Sequence, residues 1–172
     1  NKIGKEKLSY EHILQAYELA KETEDLNMQA AALTNIAVNK LNNKDYDDAL
    51  EGFHKVLNIF DGLGDKIAVI ETLHRIANTY KYMHKDTDVV KTCEQALELS
   101  KEGKNDPLIA TSHTYLAVAY NELGNKSEAL KNLNQSKKIN ENGNNQDGLG
   151  MITGMIANHF WETGDLDSAM HY

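Results

Sequence analysis

Tyr115-Leu116-Ala117-Val118-Ala119-Tyr120-Asn121-Glu122-Leu123-Gly124-Asn125, with Ala129 beyond it, is the stretch that decides the fold. An aliphatic residue followed by Ala leads into a Gly-bearing turn, and Ala129 stands twelve residues after Ala117. The same marks recur at an offset of 40: Ile36-Ala37, Ile76-Ala77 and Ile156-Ala157, with Ala49, Val89 and Ala169 twelve residues after each Ala. The intervening turns read Asn43-Lys44-Asp45-Tyr46, His84-Lys85-Asp86 and Thr163-Gly164-Asp165, always polar or Gly-bearing. Farther along stand Phe53, Cys93 and Leu133, then Val56, Ala96 and Ser136, then Ile59, Leu99 and Ile139. The register also runs backward onto Ile13, Ala16 and Leu19.

Within a unit the spacing is helical. Leu73, Ile76, Ala77 and Tyr80 fall at i, i+3, i+4 and i+7 and form one apolar stripe. After the turn, Val89, Cys93, Ala96, Leu97 and Leu99 form a second stripe facing the first, and small residues at the crossing let the two axes approach. Each unit is thus an antiparallel helical hairpin. Asp65 before Ile67 to Ile70 and Asn105-Asp106 before Pro107 are start signals, with Asp25 and Asp147 as weaker versions. Gly62, Gly64, Gly103 and Gly143 suit the stops of the preceding helices. The pattern predicts the second helix of one repeat over 7–24, full repeats over about 27–64, 66–104 and 107–143, and an incomplete one over 147–172. A hairpin of this kind cannot bury its stripe alone, so units stack and the array curves around a concave face.

Composition narrows the function. The chain has 172 residues, with 18 Lys and Arg against 26 Asp and Glu, for a formal net charge of −8. Duplex nucleic acid is excluded as a partner, because neutralising phosphates needs clustered cations. The single cysteine, Cys93, cannot form an internal disulfide, so the cytoplasm or another reducing space fits. No stretch approaches the roughly 18 apolar residues of a membrane span. The opening Asn1-Lys2-Ile3-Gly4-Lys5 has neither an initiator Met nor a signal-peptide layout, and the chain reads as a piece of something longer.

The repeated marks resemble the tetratricopeptide repeat, most closely at 115–129 and at Met155 to Asp165 with Ala169. Lys40 replaces an expected aromatic, Lys44 and His84 replace the turn Gly, and Cys93 and Leu133 replace the second aromatic. The period of 40, where the common form has about 34, implies about 9 Å of extra helix per unit. In this respect the chain is similar to the long repeats of bacterial signalling proteins such as sensor kinases, cyclases and peptide-pheromone receptors. The resemblance implies an all-α, right-handed superhelical array of antiparallel hairpins. It also implies that the first helix of each repeat lines the concave face, and that the module is noncatalytic and binds a protein or extended peptide without a cofactor. A peptide-pheromone-responsive regulator and a self-assembling scaffold joined through its end repeats are the alternatives.

On those first helices, Asn35, Asn78, Asn121 and Asn158 are candidates for holding a peptide main chain, since a carboxamide both donates and accepts. His74, Arg75 and Lys81 form a small basic group fit for a carboxylate or phosphate. Tyr82 and Trp161 are amphipathic anchors of the type enriched at contact hot spots. Thr34, Val38, Asn42, Thr114, Tyr115, Val118, Glu122, Met155 and Glu162 complete the faces not committed to packing.

Catalytic patterns are lacking. There is no His-Glu-x-x-His motif and no phosphate-cradling Gly loop, and His159 with Glu162 makes only one copy of a spacing that di-iron bundles use twice. Cys93 falls on the buried stripe, where a thiol acts as a small hydrophobe, and His113 sits at a packing position.

Overall fold

A computed structural model describes the backbone of residues 2–172 and the side chains of residues 11–172. The reading of the chain start rests on Asn1 and on side chains that lie outside the described residues. The described chain is an all-α array: α1 (Lys2–Glu22), α2 (Leu26–Asn42), α3 (Tyr46–Leu63), α4 (Lys66–Tyr82), α5 (Asp86–Glu102), α6 (Asp106–Glu122), α7 (Lys126–Asn142), α8 (Gln146–Thr163) and α9 (Leu166–His171).

The helices are cut to length by their turns. A left-handed residue occurs at every twentieth position: Glu24, Lys44, Gly64, His84, Lys104, Gly124, Asn144 and Gly164, with φ between 51° and 82°. In seven of the eight turns the next residue closes the turn by donating its N–H to the carbonyl five residues back, as from Asp45 to Lys40 and from Asn125 to Tyr120, at 2.9 and 2.8 Å. That same residue then caps the following helix. Asp25, Asp65, Asn105, Asn125, Asn145 and Asp165 each accept a bond from the backbone N–H three residues on. Turns inside a hairpin and turns between hairpins are therefore the same device, and the period of 40 is two halves of 20.

One sequence reading is refined here and one corrected. Gly103 and Gly143 stand at the stops of α5 and α7 as read, but with right-handed φ of −76° and −84°. The left-handed role falls one residue later, on Lys104 and Asn144. The α8 helix is capped by Asn145, whose side chain accepts from the Gly148 N–H, whereas Asp147 lies inside the first turn.

The chain forms two compact units, residues 1–83 and 84–172. In the first, α1 to α4 pack each on the next. Ala37, Ala49, Leu50, Phe53 and Ile76 form one core cluster, and Ala30, Leu33 and Val56 form a second with Tyr17, Ile59 and Phe60 against it. Helices α2 and α3 touch closely: a Cβ on Gly52 would lie 2.8 Å from the Ala37 Cβ, so only glycine fits that crossing. Lys40, in place of an aromatic, donates to Asp48 at 2.8 Å and ties the same two helices.

The second unit is built from α5 to α9 around Ala117, Leu133, Ile152 and Ile156, with Leu130, Met155 and Phe160 against them. Its interior is polar in places, and several of these groups are paired. The Ser100 hydroxyl donates to the Ala96 carbonyl at 2.6 Å, Thr114 and Ser136 meet at 3.0 Å, and Asn132 meets His113 at 2.8 Å. That pairing fits the packing role read for His113. Of the four repeat-marking alanines, Ala37, Ala77 and Ala117 are buried. Ala157 is half-buried, where the following helix α9 has only six residues.

Five of the eight turns hold a side chain in a conformation that disfavours one. Lys104→Gly is therefore expected to raise unfolding stability by about 0.5–1 kcal/mol, and Gly124→Ala to lower it by about 1 kcal/mol, in urea titrations. The same sign for both would refute the turn assignment.

Candidate binding groove

A groove of about 450 Å³ opens in the second unit between α6, α7 and α8. Its floor is Ala117 from α6 with Ala129 and Leu133 from α7, all buried. Small residues at the two alanine positions leave the depth. Val118, Met151 and Met155 form apolar walls, and Gly154 opens the wall contributed by α8.

The rim is polar and crosses all three helices. Lys126, in the first turn of α7, donates to the Asn121 Oδ1 at 2.7 Å and to the Glu162 Oε2 at 2.5 Å. The Asn158 Nδ2 donates to the other Glu162 oxygen at 2.8 Å. Hydrogen bonds from Lys126 first, then from Asn158, hold the Glu162 carboxyl below its ordinary range. Because Lys126 is matched by Glu162, the exposed Glu122 leaves the rim with an excess negative charge.

His159 also lines the groove and is 7% exposed, with its ring edge-on to Phe160 at 5.5 Å. Burial first, and the nearby Lys126 second, push its pKa down against the pull of Glu162. Its Nδ1 is buried without a hydrogen-bond partner. Among the described residues no group of three His, Cys, Asp or Glu is placed to hold a metal ion.

Of the residues singled out by sequence, Asn121 and Asn158 are brought together in this groove, along with Val118, Glu122, Met155 and Glu162. Their amides are partly committed to Lys126 and Glu162 rather than wholly open to a peptide. Trp161 is 68% exposed and does not line the groove. In the first unit, Asn35, Arg75, Lys81 and Tyr82 are exposed, Asn78 is half-buried, and the Tyr82 ring stacks on Tyr46 with centroids 6.2 Å apart.

His74 departs from the reading of it as a surface cation. It is 6% exposed, and burial pushes its pKa down to about 4, so near neutral pH it is an uncharged interior ring. Arg75 and Lys81 remain as the surface cations of that group. Cys93 is fully buried, and burial together with Glu94 pushes its thiol up to about 12, which removes it as a nucleophile.

Sequence reasoning missed Lys126, His159, Gly154 and the α7 floor. Lys126 meets Glu162 across 36 residues, one turn-length short of the repeat, so self-alignment at 40 passes over the pair. The small size of Ala129 was visible, but not that α6 and α8 stand over it.

Hairpins with alanine at repeat-equivalent crossings, turned by a shared cap, match the family model described as tetratricopeptide repeat over residues 28–101. The fold is of the tetratricopeptide type. Solved structures with tetratricopeptide hairpins superpose well. Aspartyl phosphate phosphatase F from Bacillus subtilis gives a TM-score of 0.85 at 13% identity, covering 93% of this chain and 42% of that one. A Rap protein solved with competence and sporulation factor gives 0.81 at 18%, covering 99% and 48%. The Rap conjugation gene regulator of plasmid pLS20, solved with the Phr* peptide, gives 0.74 at 14%, covering 89% and 43%. The chain spans less than half the length of each of these proteins. Comparison with curated sequences finds no match.

His74 binds its proton more weakly in the folded chain than in the unfolded one, where its pKa is 6.5. Its contribution to stability is therefore complete above pH 6.5, falls as the pH drops toward 4, and is gone below that, a loss on the order of 3 kcal/mol. Urea unfolding at pH 7, 5.5 and 4 is expected to show this decline, and His74→Gln to flatten it. A His74 imidazole resonance seen by NMR to titrate near 6.5 would contradict the burial.

Proposed function

We propose that the chain is a noncatalytic recognition module that binds an extended peptide or a protein segment. The observation that carries this reading is the groove of the second unit, an apolar floor with carboxamides and carboxylates at its rim. Groups of this kind bind side chains below and main chain above. The buried titratable groups support recognition over reaction, since burial pushes the Cys93 thiol up and the His74 and His159 rings down, each away from its charged form.

In this reading the chain is the sensory or regulatory region of a bacterial signalling protein of the sensor kinase or cyclase type, built on the long variety of tetratricopeptide repeat and working in the cytoplasm. Its helices of 17 or 18 residues between turns, from α2 to α8, support the long variety. Among the described residues no helix is long and apolar enough to cross a membrane. A peptide-responsive regulator is the second reading. It is favoured by the likeness to Rap proteins, one of them solved with the Phr* peptide.

Panning random twelve-residue peptides on phage against the chain tests the proposal. Recovered peptides, resynthesised, are expected to bind with micromolar Kd, about −8 kcal/mol. Asn121→Ala with Asn158→Ala, or Arg75→Ala with Asn78→Ala, is expected to weaken them at least tenfold with the circular dichroism unchanged. Binding unaffected by both double variants would move the site away from these faces, and failure to recover any binder would refute the module.

A further inference from the structure

The groove of the second unit owes part of its room to a missing side chain. Gly154 stands in the middle of α8, and at the corresponding places of the other repeats stand Thr34, His74 and Thr114. His74 is buried there, and Thr34 and Thr114 are half-buried with hydroxyls bonded to the carbonyls of Ala30 and Ala110 at 2.8 and 3.0 Å. The repeat position is thus ordinarily filled.

Nothing in the chain's own packing requires the exception. Gly148, earlier in α8, is crowded, since a Cβ would lie 2.6 Å from the Asn145 side-chain nitrogen and 2.8 Å from the Asn140 Cγ and would displace those side chains. Gly154 would meet nothing within 4 Å, as would Gly62 in α3 and Gly150 earlier in α8, but of the three only Gly154 lines the groove. A glycine inside a helix weakens it, and here it leaves the room of a side chain open on the groove wall for a ligand to fill. A further feature converges on the same space. The rim carries Glu122 and Glu162 against Lys126 alone, in a unit with thirteen carboxylates against eight lysines over residues 84–172.

We propose that this groove receives an aliphatic side chain of an extended peptide whose neighbouring residue is lysine or arginine. The aliphatic group enters the space above Gly154, between Val118, Met151 and Met155, and the cation meets Glu122 and Glu162. This rests on the peptide-binding reading above and gives it a sequence preference. An arginine can pair with a carboxylate through two parallel N–H bonds, and either cation relieves the excess charge of the rim.

Three pools of fluorescein-labelled hexapeptides test it, each with a fixed central leucine and with the other positions drawn from Lys and Arg, from Ser and Asn, or from Asp and Glu. Hexapeptides are too short to form stable helices, so they report extended binding. Fluorescence polarisation is expected to rank the cationic pool at least tenfold tighter than the neutral one, with the acidic pool weakest.

Glu122→Gln is expected to reduce that preference severalfold. Glu98→Gln, an equal charge change on the exposed face of α5 away from the groove, is expected to leave it unchanged. Gly154→Leu is expected to weaken the cationic pool at least tenfold while the Tm holds or rises, since leucine favours the helix and fills the space. A fall in binding with a rise in Tm separates an occupied groove from a disrupted fold. Equal binding by all three pools, an equal effect of Glu98→Gln, or undiminished binding by Gly154→Leu would overturn the assignment and leave peptide binding itself standing. No binding by any pool would overturn both.

Discussion

Everything in this molecule depends on a left-handed residue at every twentieth position. A helix ends where its carbonyls must find donors other than the next turn of helix, and in seven of the eight turns the closing N–H comes from the residue at the N-cap of the helix that follows. Stop and start are one event, which fixes the helix length between turns at 17 or 18 residues from α2 to α8. Equal helices return equivalent residues to equivalent heights. That is why alanines can recur at the crossings and why a close approach such as Gly52 against Ala37 can be afforded.

Equal phase also decides which side chains can act together. Asn78 and Asn158 share a place in the repeat with Val38 and Val118, whereas Asn35 and Asn121 belong to two other places. The four asparagines therefore do not form one ladder. What gathers Asn121 and Asn158 is Lys126, which reaches from α7 to Asn121 and to Glu162, with Asn158 on the far carboxylate oxygen. A single cation positions an otherwise unrelated pair of amides. Their order comes from a contact across helices, which residue spacing along one helix does not reveal.

This is where the sequence was legible and where it was not. The hairpins could be read because their information is local and repeated: an apolar stripe, a polar turn and a capping Asp or Asn, seen several times in one chain. Even there, glycine drew attention to Gly103 and Gly143, because glycine is the usual left-handed residue, while the turn geometry placed Lys104 and Asn144 in that role. His74 was misread because a cation flanked by Arg75 suggests a surface. Its burial is a property of what surrounds it, and its own identity carries no sign of that. The groove was hardest of all, since it is defined by atoms that are lacking. Gly154 shares its open Cβ space with Gly62 and Gly150, and only its place on the groove lining sets it apart.

The distribution of charge completes the argument from structure to recognition. Inside, titratable groups are driven to their neutral forms: the Cys93 thiol is pushed up to about 12 and the His74 ring down to about 4, each by loss of water. At the groove rim the opposite holds, and Glu162 is kept ionised by Lys126 and Asn158. An apolar recess beside a carboxylate held in its ionised form discriminates among ligands, because it penalises any partner that brings a like charge or an unpaired polar group into it.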